Sequence, residues 1–197
     1  MLFNKANKNF KDYRNFRWFF TSEGTLVIGG KSDEQNEFVL KNFLKPNYVV
    51  MHTSKPGSSF MIIQKDNPSE KDINETAMFT ACFSQQWKKA EKTIDIDIFK
   101  GSQIYKIKGM KLGTFGVKNK EKTIKVKPKL DLIIQKGKLR AVPANGHEEK
   151  LGEIIQGNLT KEQAAEKIGK IIRDKFHLPI SKEEIMSAIP SDKLSVK

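Results

Sequence analysis

The chain has 197 residues, with 36 Lys or Arg against 23 Asp or Glu and a formal net charge of +13. That length suits one domain with a sizeable core and a small appendage. No apolar run approaches the ~20 residues of a membrane span, the opening MLFNKANKNF lacks the apolar stretch of a signal peptide, and the single cysteine, Cys82, excludes a disulfide framework or a cysteine-built zinc site. These features lead us to expect a cytoplasmic protein with no membrane contact. The charge is concentrated: residues 103–140 hold 12 Lys or Arg against 2 Asp or Glu, whereas residues 141–197 hold 9 of each. A localised excess marks a face for a polyanion better than a uniformly basic surface does.

Residues 1–14 carry Lys5, Lys8, Lys11 and Arg14 and read as a solvated leading segment or as an arm contacting phosphate. Asn15 to Glu37 is the organising stretch. The aromatic run Phe16 to Phe20 reaches a turn at Ser22-Glu23-Gly24, and Thr25 to Ile28 ends at Gly29-Gly30, a pattern that predicts a hairpin leading into a helix. The glycine pair lets the backbone turn where a β-carbon would clash and frees amides for an anion or a neighbouring strand. Ser32 or Asp33 is placed to cap the helix.

The wording of this stretch resembles the NFACT RNA-binding domain, at Arg17, Trp18, Gly24, Leu26, Ile28, Gly29, Gly30, Lys31, Asn36 and Glu37. Ser32 departs from the acidic residue usual after the basic one. That module is similar to the C-terminal part of ribosome-quality-control factors that bind large ribosomal subunits obstructed by peptidyl-tRNA, and it also occurs alone in short proteins. The resemblance implies a non-enzymatic RNA-binding role without a cofactor, with rRNA or tRNA on the large ribosomal subunit as the partner.

Glu34 to Leu44 is helical in pattern, with Phe38, Val39, Leu40 and Phe43 as its apolar stripe, and Pro46-Asn47 stops it. Tyr48 to His52 and Phe60 to Gln64 read as strands around a polar loop. In that loop His52, Gly57 and Ser58 resemble the family's pattern, while Ser54 stands where an Asp is common. Backbone amides and hydroxyls of such a loop suit phosphate; the plainer reading is a strand cap and a turn. Ile73 to Glu91 is the longest helical pattern, with Met78, Phe79, Cys82, Phe83 and Trp87 forming one wide stripe. It resembles the family's long helix, and Cys82 and Trp87 are expected in the core.

Thr93 to Phe99 alternates strictly and predicts a half-buried strand with Asp95 and Asp97 on one face. Two such carboxylates suit a divalent cation or acid–base work; the alternative is a solvated face that pairs with the lysines downstream. The run Gln103 to Phe115 resembles the family's lysine-and-glycine loop through Lys106, Gly109, Lys111 and Gly113, without the prolines common there. Thr123 to Lys127 predicts a strand with Ile124 and Val126 inward and Lys125 and Lys127 outward. Leu130 to Ile134 and Leu139 to Val142 supply further strands. From Pro143 the chain turns neutral. Glu148 to Ile155 reads as a short helix, and Thr160 with Gln163 and Ser181 with Glu184 as capping boxes of two more. This tail either docks on the domain or offers helices to a protein partner.

Together these elements predict an α+β fold: a mixed or antiparallel sheet with two main helices packed on it, plus a small C-terminal helical extension, divided as 1–142 and 143–197. The histidines His52, His147 and His177 are scattered and no nucleotide fingerprint follows a strand, so no active site assembles. Arg17, Lys31, His52, Lys55, Ser58, Lys106, Lys108, Lys111, Lys118, Lys125 and Lys127 are the residues expected to face RNA. A general polyanion binder, for DNA or anionic lipid, is the alternative.

Overall fold

The computed structural model, which describes residues 12–197, is built on two antiparallel sheets. The first takes strands β1 (Arg17–Phe20), β2 (Leu26–Gly29), β3 (Val49–Thr53), β4 (Met61–Ile63), β5 (Ile94–Lys100) and β8 (Lys122–Val126) in the order β1-β2-β4-β3-β5-β8. Between β5 and β8 a two-stranded ribbon, β6 (Ile104–Tyr105) with β7 (Gly116–Val117), carries the lysine–glycine loop. The second sheet joins β9 (Leu130–Gln135), β10 (Lys138–Pro143), β11 (Gly152–Leu159) and β12 (Leu194–Val196) in the order β10-β9-β11-β12. This is the predicted α+β class, and the pairing in these sheets is antiparallel throughout. The arm bearing Lys5, Lys8 and Lys11 lies outside the described residues.

Helix α1 (Asp33–Phe43) covers one face of the first sheet, burying Val39 and Leu40 in a cluster with Trp18, Ile28, Val50, Ile62 and Phe99. Helix α2 (Glu70–Cys82) covers the other face and also packs against β10, so it lies between the two sheets. That position explains why Thr76 and Thr80 are buried on it: each hydroxyl donates back to the carbonyl one turn earlier, at 2.7 Å, and needs no outside partner. Cys82 and Trp87 are fully buried, as expected of core residues. Asp72, which closes a capping box with Ser69, is itself buried and accepts the Thr21 hydroxyl of the hairpin turn at 2.5 Å. The helix start is thereby tied to the hairpin.

The long helix expected over 73–91 is broken. It stops at Cys82, and Ser84 caps a separate short helix α3 (Gln85–Lys88) by accepting the Trp87 N–H. The break turns Trp87 inward, where its indole N–H donates to Asp192 O at 3.1 Å. The helix expected over 148–155 is also overturned: Gly152–Leu159 is strand β11, whose Ile154 fills the core between β9 and β12. Adjacent β-branched residues at Ile154 and Ile155 and the glycines at either side favour an extended chain. The predicted helices of the tail form as α4 (Lys161–Phe176) and α5 (Lys182–Ala188), and they dock on the second sheet through Ala164, Ile168, Ile172 and Ile185. Ser181 caps α5, but its partner in the predicted capping box does not reciprocate. The Glu184 carboxylate instead accepts the Leu139 N–H at 2.8 Å, which pins α5 to β10.

The free edge of the first sheet at β1 is closed by side chains rather than by a strand. The Gln135 amide accepts the Phe20 N–H at 2.7 Å and donates to the Phe20 carbonyl at 2.8 Å, and the buried Arg140 donates to the Trp18 carbonyl at 2.6 Å while lying over the Trp18 ring. At the opposite end of the hairpin, the glycine pair answers to close approach. A β-carbon on Gly29 would strike the Met61 side chain and the Phe60 carbonyl, and one on Gly30 would strike the Asn36 backbone nitrogen. Gly24, in the turn, has a φ of +75° but open space around it. Gly30→Ala should therefore destabilise by about 3 kcal/mol and Gly24→Ala by about 1 kcal/mol, a contrast that urea denaturation reads directly. Equal losses would show that backbone conformation, and not the approach of α1, dictates the pair.

Candidate nucleic-acid interface

The site grows from one carboxylate. Glu37 points off α1 toward the lysine–glycine loop and is almost wholly buried. It pairs with the ammonium of Lys106, accepts the Gly113 N–H at 3.1 Å and pairs with Lys41 one turn along α1 at 2.9 Å. Lys106 in turn donates to the Lys111 carbonyl at 3.0 Å and lies over the Phe115 ring at 4.8 Å. Gly113 has a φ of +72°, and a β-carbon there would come within 2.6 Å of Asp33 Cα, so only glycine lets the loop lie on the start of α1. Burial disfavours the Glu37 charge, yet Lys106, Lys41 and the Gly113 amide more than offset it and hold the pKa at about 2. The resemblance placed Lys106 on RNA; the geometry also gives it an internal task, clasping the loop to the helix.

The clasped loop forms one wall of a cleft of about 460 Å³, and the β3–β4 loop forms the other. His52 stacks on Phe60 at 4.7 Å with the rings tilted by 37°, and Phe60 meets Phe115 edge-on at 6.1 Å. His52 Nδ1 lies 2.7 Å from the Thr53 carbonyl, which can only accept, so Nδ1 carries the proton. Burial pushes the His52 pKa below its ordinary value against the opposing pull of nearby carbonyls and Asp97, leaving the ring neutral at pH 7. Ser58 Oγ accepts the Thr53 N–H at 3.0 Å and so holds the β3–β4 loop in shape.

Elsewhere on this face Asp95 and Asp97 lie against downstream lysines, one of the outcomes left open for them. Asp97 pairs with Lys120 at 3.0 Å and accepts from the Ser54 and Thr123 hydroxyls, while Asp95 lies 3.8 Å from Lys125. Among the described residues no three His, Cys, Asp or Glu side chains come together as a metal site would need. Lys55 is ion-paired with Glu91 at 2.9 Å. Lys31, Lys108, Lys111, Lys118 and Lys127 are exposed and form no ion pair with another described residue, and Lys111 lines the cleft. Arg17 is half-buried beside Lys31, with Nη1 3.3 Å from the Gly30 carbonyl and from Ser59 Oγ and the guanidinium over Phe83. Burial lowers its pKa to about 10, still charged at pH 7.

Sequence reasoning matched Asn36 and Glu37 as family positions but assigned them no part in the site. A carboxylate at the inward end of a helix beside a glycine-rich basic loop is the signal that was open to reading. The depressed pKa makes a sharp expectation. Because Glu37 titrates near 2 in the fold against 4.5 ordinarily, its contribution to stability is complete above pH 4.5 and fades as the pH falls toward 2. A carbon-13 titration of the Glu37 carboxyl should show a midpoint near 2, and Lys106→Met should move it up toward 4.5; a wild-type midpoint near 4.5 would remove the clasp.

The family profile described as the NFACT protein RNA binding domain matches residues 15–119, which takes in the hairpin, both walls of the cleft and the clasp. Over 86 residues the chain is 35% identical to the ribosome quality control complex subunit NEMF homolog of Drosophila melanogaster, covering 42% of this chain and 9% of that protein. It is 33% identical over 104 residues to the archaeal Rqc2 homolog aRqcH of Methanocaldococcus jannaschii, covering 52% and 15%. With the Rqc2 homolog RqcH of Bacillus subtilis it shares 27% over 115 residues, covering 58% and 20%. The chain thus corresponds to a small part of these relatives. The solved C-terminal part of the fibronectin/fibrinogen-binding protein from Streptococcus suis shares the fold, with a TM-score of 0.53 at 20% identity over 64% of this chain and 51% of that one. More than half of the chain lies within the matched profile, and the chain belongs to the NFACT protein RNA binding domain family.

Proposed function

We propose that this chain is a non-enzymatic RNA-binding protein of ribosome quality control that contacts rRNA or tRNA on the large ribosomal subunit. The observation that carries the reading is the basic segment 103–140, whose lysine–glycine loop, with Lys111, forms one wall of a cleft built by the residues that the family profile matches. The RNA and ribosome parts of the proposal lean on the family and on a relative named as a homolog of a ribosome quality control complex subunit. Lysines with no acidic neighbour are available to phosphate, where they position a nucleic acid without reading its sequence. We assign RNA contact to residues 1–142 and treat 143–197 as the extension that completes the second sheet.

Of the residues expected to face RNA, Lys31, Lys108, Lys111, Lys118 and Lys127 suit phosphate best, because no carboxylate competes for them. Lys55 and Lys125 must exchange an acidic partner for a phosphate, and Lys106 and Ser58 serve by shaping their loops. Purified protein should bind large ribosomal subunits or tRNA in preference to duplex DNA across a salt series. Lys108→Glu with Lys111→Glu should weaken that binding by about tenfold or more and lower the salt slope by about 2, with the thermal midpoint little changed. Equal and steeply salt-sensitive binding to all three nucleic acids would leave only a general polyanion binder.

A further inference from the structure

We infer that the cleft between the lysine–glycine loop and the β3–β4 loop receives a single unstacked RNA base; this rests on the RNA-binding reading above. The cleft volume of about 460 Å³ lies in the range of ~300–1,000 Å³ typical of small-molecule sites. Its apolar lining takes in Phe60, Phe99 and Phe115 beside Leu112 and Val117; Phe60 is buried under the His52 ring and meets the half-buried Phe115 edge-on. Phe115, with Lys106 over one face, leaves the other for a base, and stacking tolerates any base because each has a π-face.

The polar lining separates base from phosphate. Asp33 and Asp97 both border the cleft, but Asp97 is already paired with Lys120 and Lys111 shares the lining, so the interior carries little net charge. A neutral base suits such an interior, and its backbone can stay outside on the exposed lysines of the same segment.

The test compares a fully paired RNA hairpin with the same hairpin carrying one bulged adenine or 2-aminopurine, each titrated with the full chain. The bulged adenine should bind about tenfold tighter than the paired hairpin, and 2-aminopurine fluorescence should be quenched on binding. Phe115→Leu keeps the apolar volume but removes the ring, so the bulged and paired hairpins should then bind alike without quenching. Equal wild-type binding to paired and bulged hairpins with no quench overturns the base pocket and leaves the RNA-binding reading standing. Failure to bind any hairpin overturns both.

Discussion

The structure's functional end depends on a single buried carboxylate. Glu37 holds Lys106, Lys41 and the Gly113 amide at once, and through them it sets the lysine–glycine loop against α1. A buried ion pair adds little net stability by itself, since desolvating both charges cancels most of the attraction, but removing one partner strands the other at a cost of about 3–5 kcal/mol. The pair is therefore better understood as a positional device than as a source of stability. It links two stretches 69 residues apart in the chain, the Asn36-Glu37 end of the hairpin motif and the Lys106 loop, which is a physical reason for both to occur within one family module. The glycines do complementary work: Gly30 admits α1 and Gly113 admits the loop.

The clasp also sorts the positive charge. The count of 36 Lys and Arg overstates the cations free to meet a polyanion, because Lys106, Lys120, Lys125 and Lys55 are already paired with Glu37, Asp97, Asp95 and Glu91. What remains is a smaller set of exposed lysines, of which Lys111 lines a cleft with an aromatic interior where Asp97 is already paired. Free cations on the surface and a nearly neutral aromatic cleft suit a partner that is itself divided, with an anionic backbone and neutral planar bases.

Much of this was legible in the residues. The hairpin, α1, β3 to β5 and the outward lysines of β8 follow from alternation, helical spacing and glycine placement, and the paired Asp95 and Asp97 found the downstream lysines that the charge pattern pointed to. The failures have physical causes. Helical spacing runs on through Phe83, so periodicity joined α2 to α3; the Ser84 cap and the inward turn of Trp87 are tertiary facts. Residues 148–155 looked helical because Glu and Lys are good helix formers, yet β9 offered an open edge, and pairing with it won. The Ser181–Glu184 box failed for the same kind of reason, since the Leu139 amide on β10 claimed the carboxylate. The clasp itself was hidden because its partners are distant in sequence, and an ion pair leaves no periodic trace.

The most direct test of the account is the RNA affinity of Glu37→Gln at moderate salt. The substitution is nearly isosteric and makes the chain one unit more positive, so attraction to a polyanion alone predicts equal or tighter binding. If the clasp positions the loop and cleft, affinity for large ribosomal subunits or tRNA should instead fall by at least about fivefold, equivalent to ~1 kcal/mol, in a protein whose circular dichroism is unchanged. Binding that strengthens on losing this carboxylate would contradict the account.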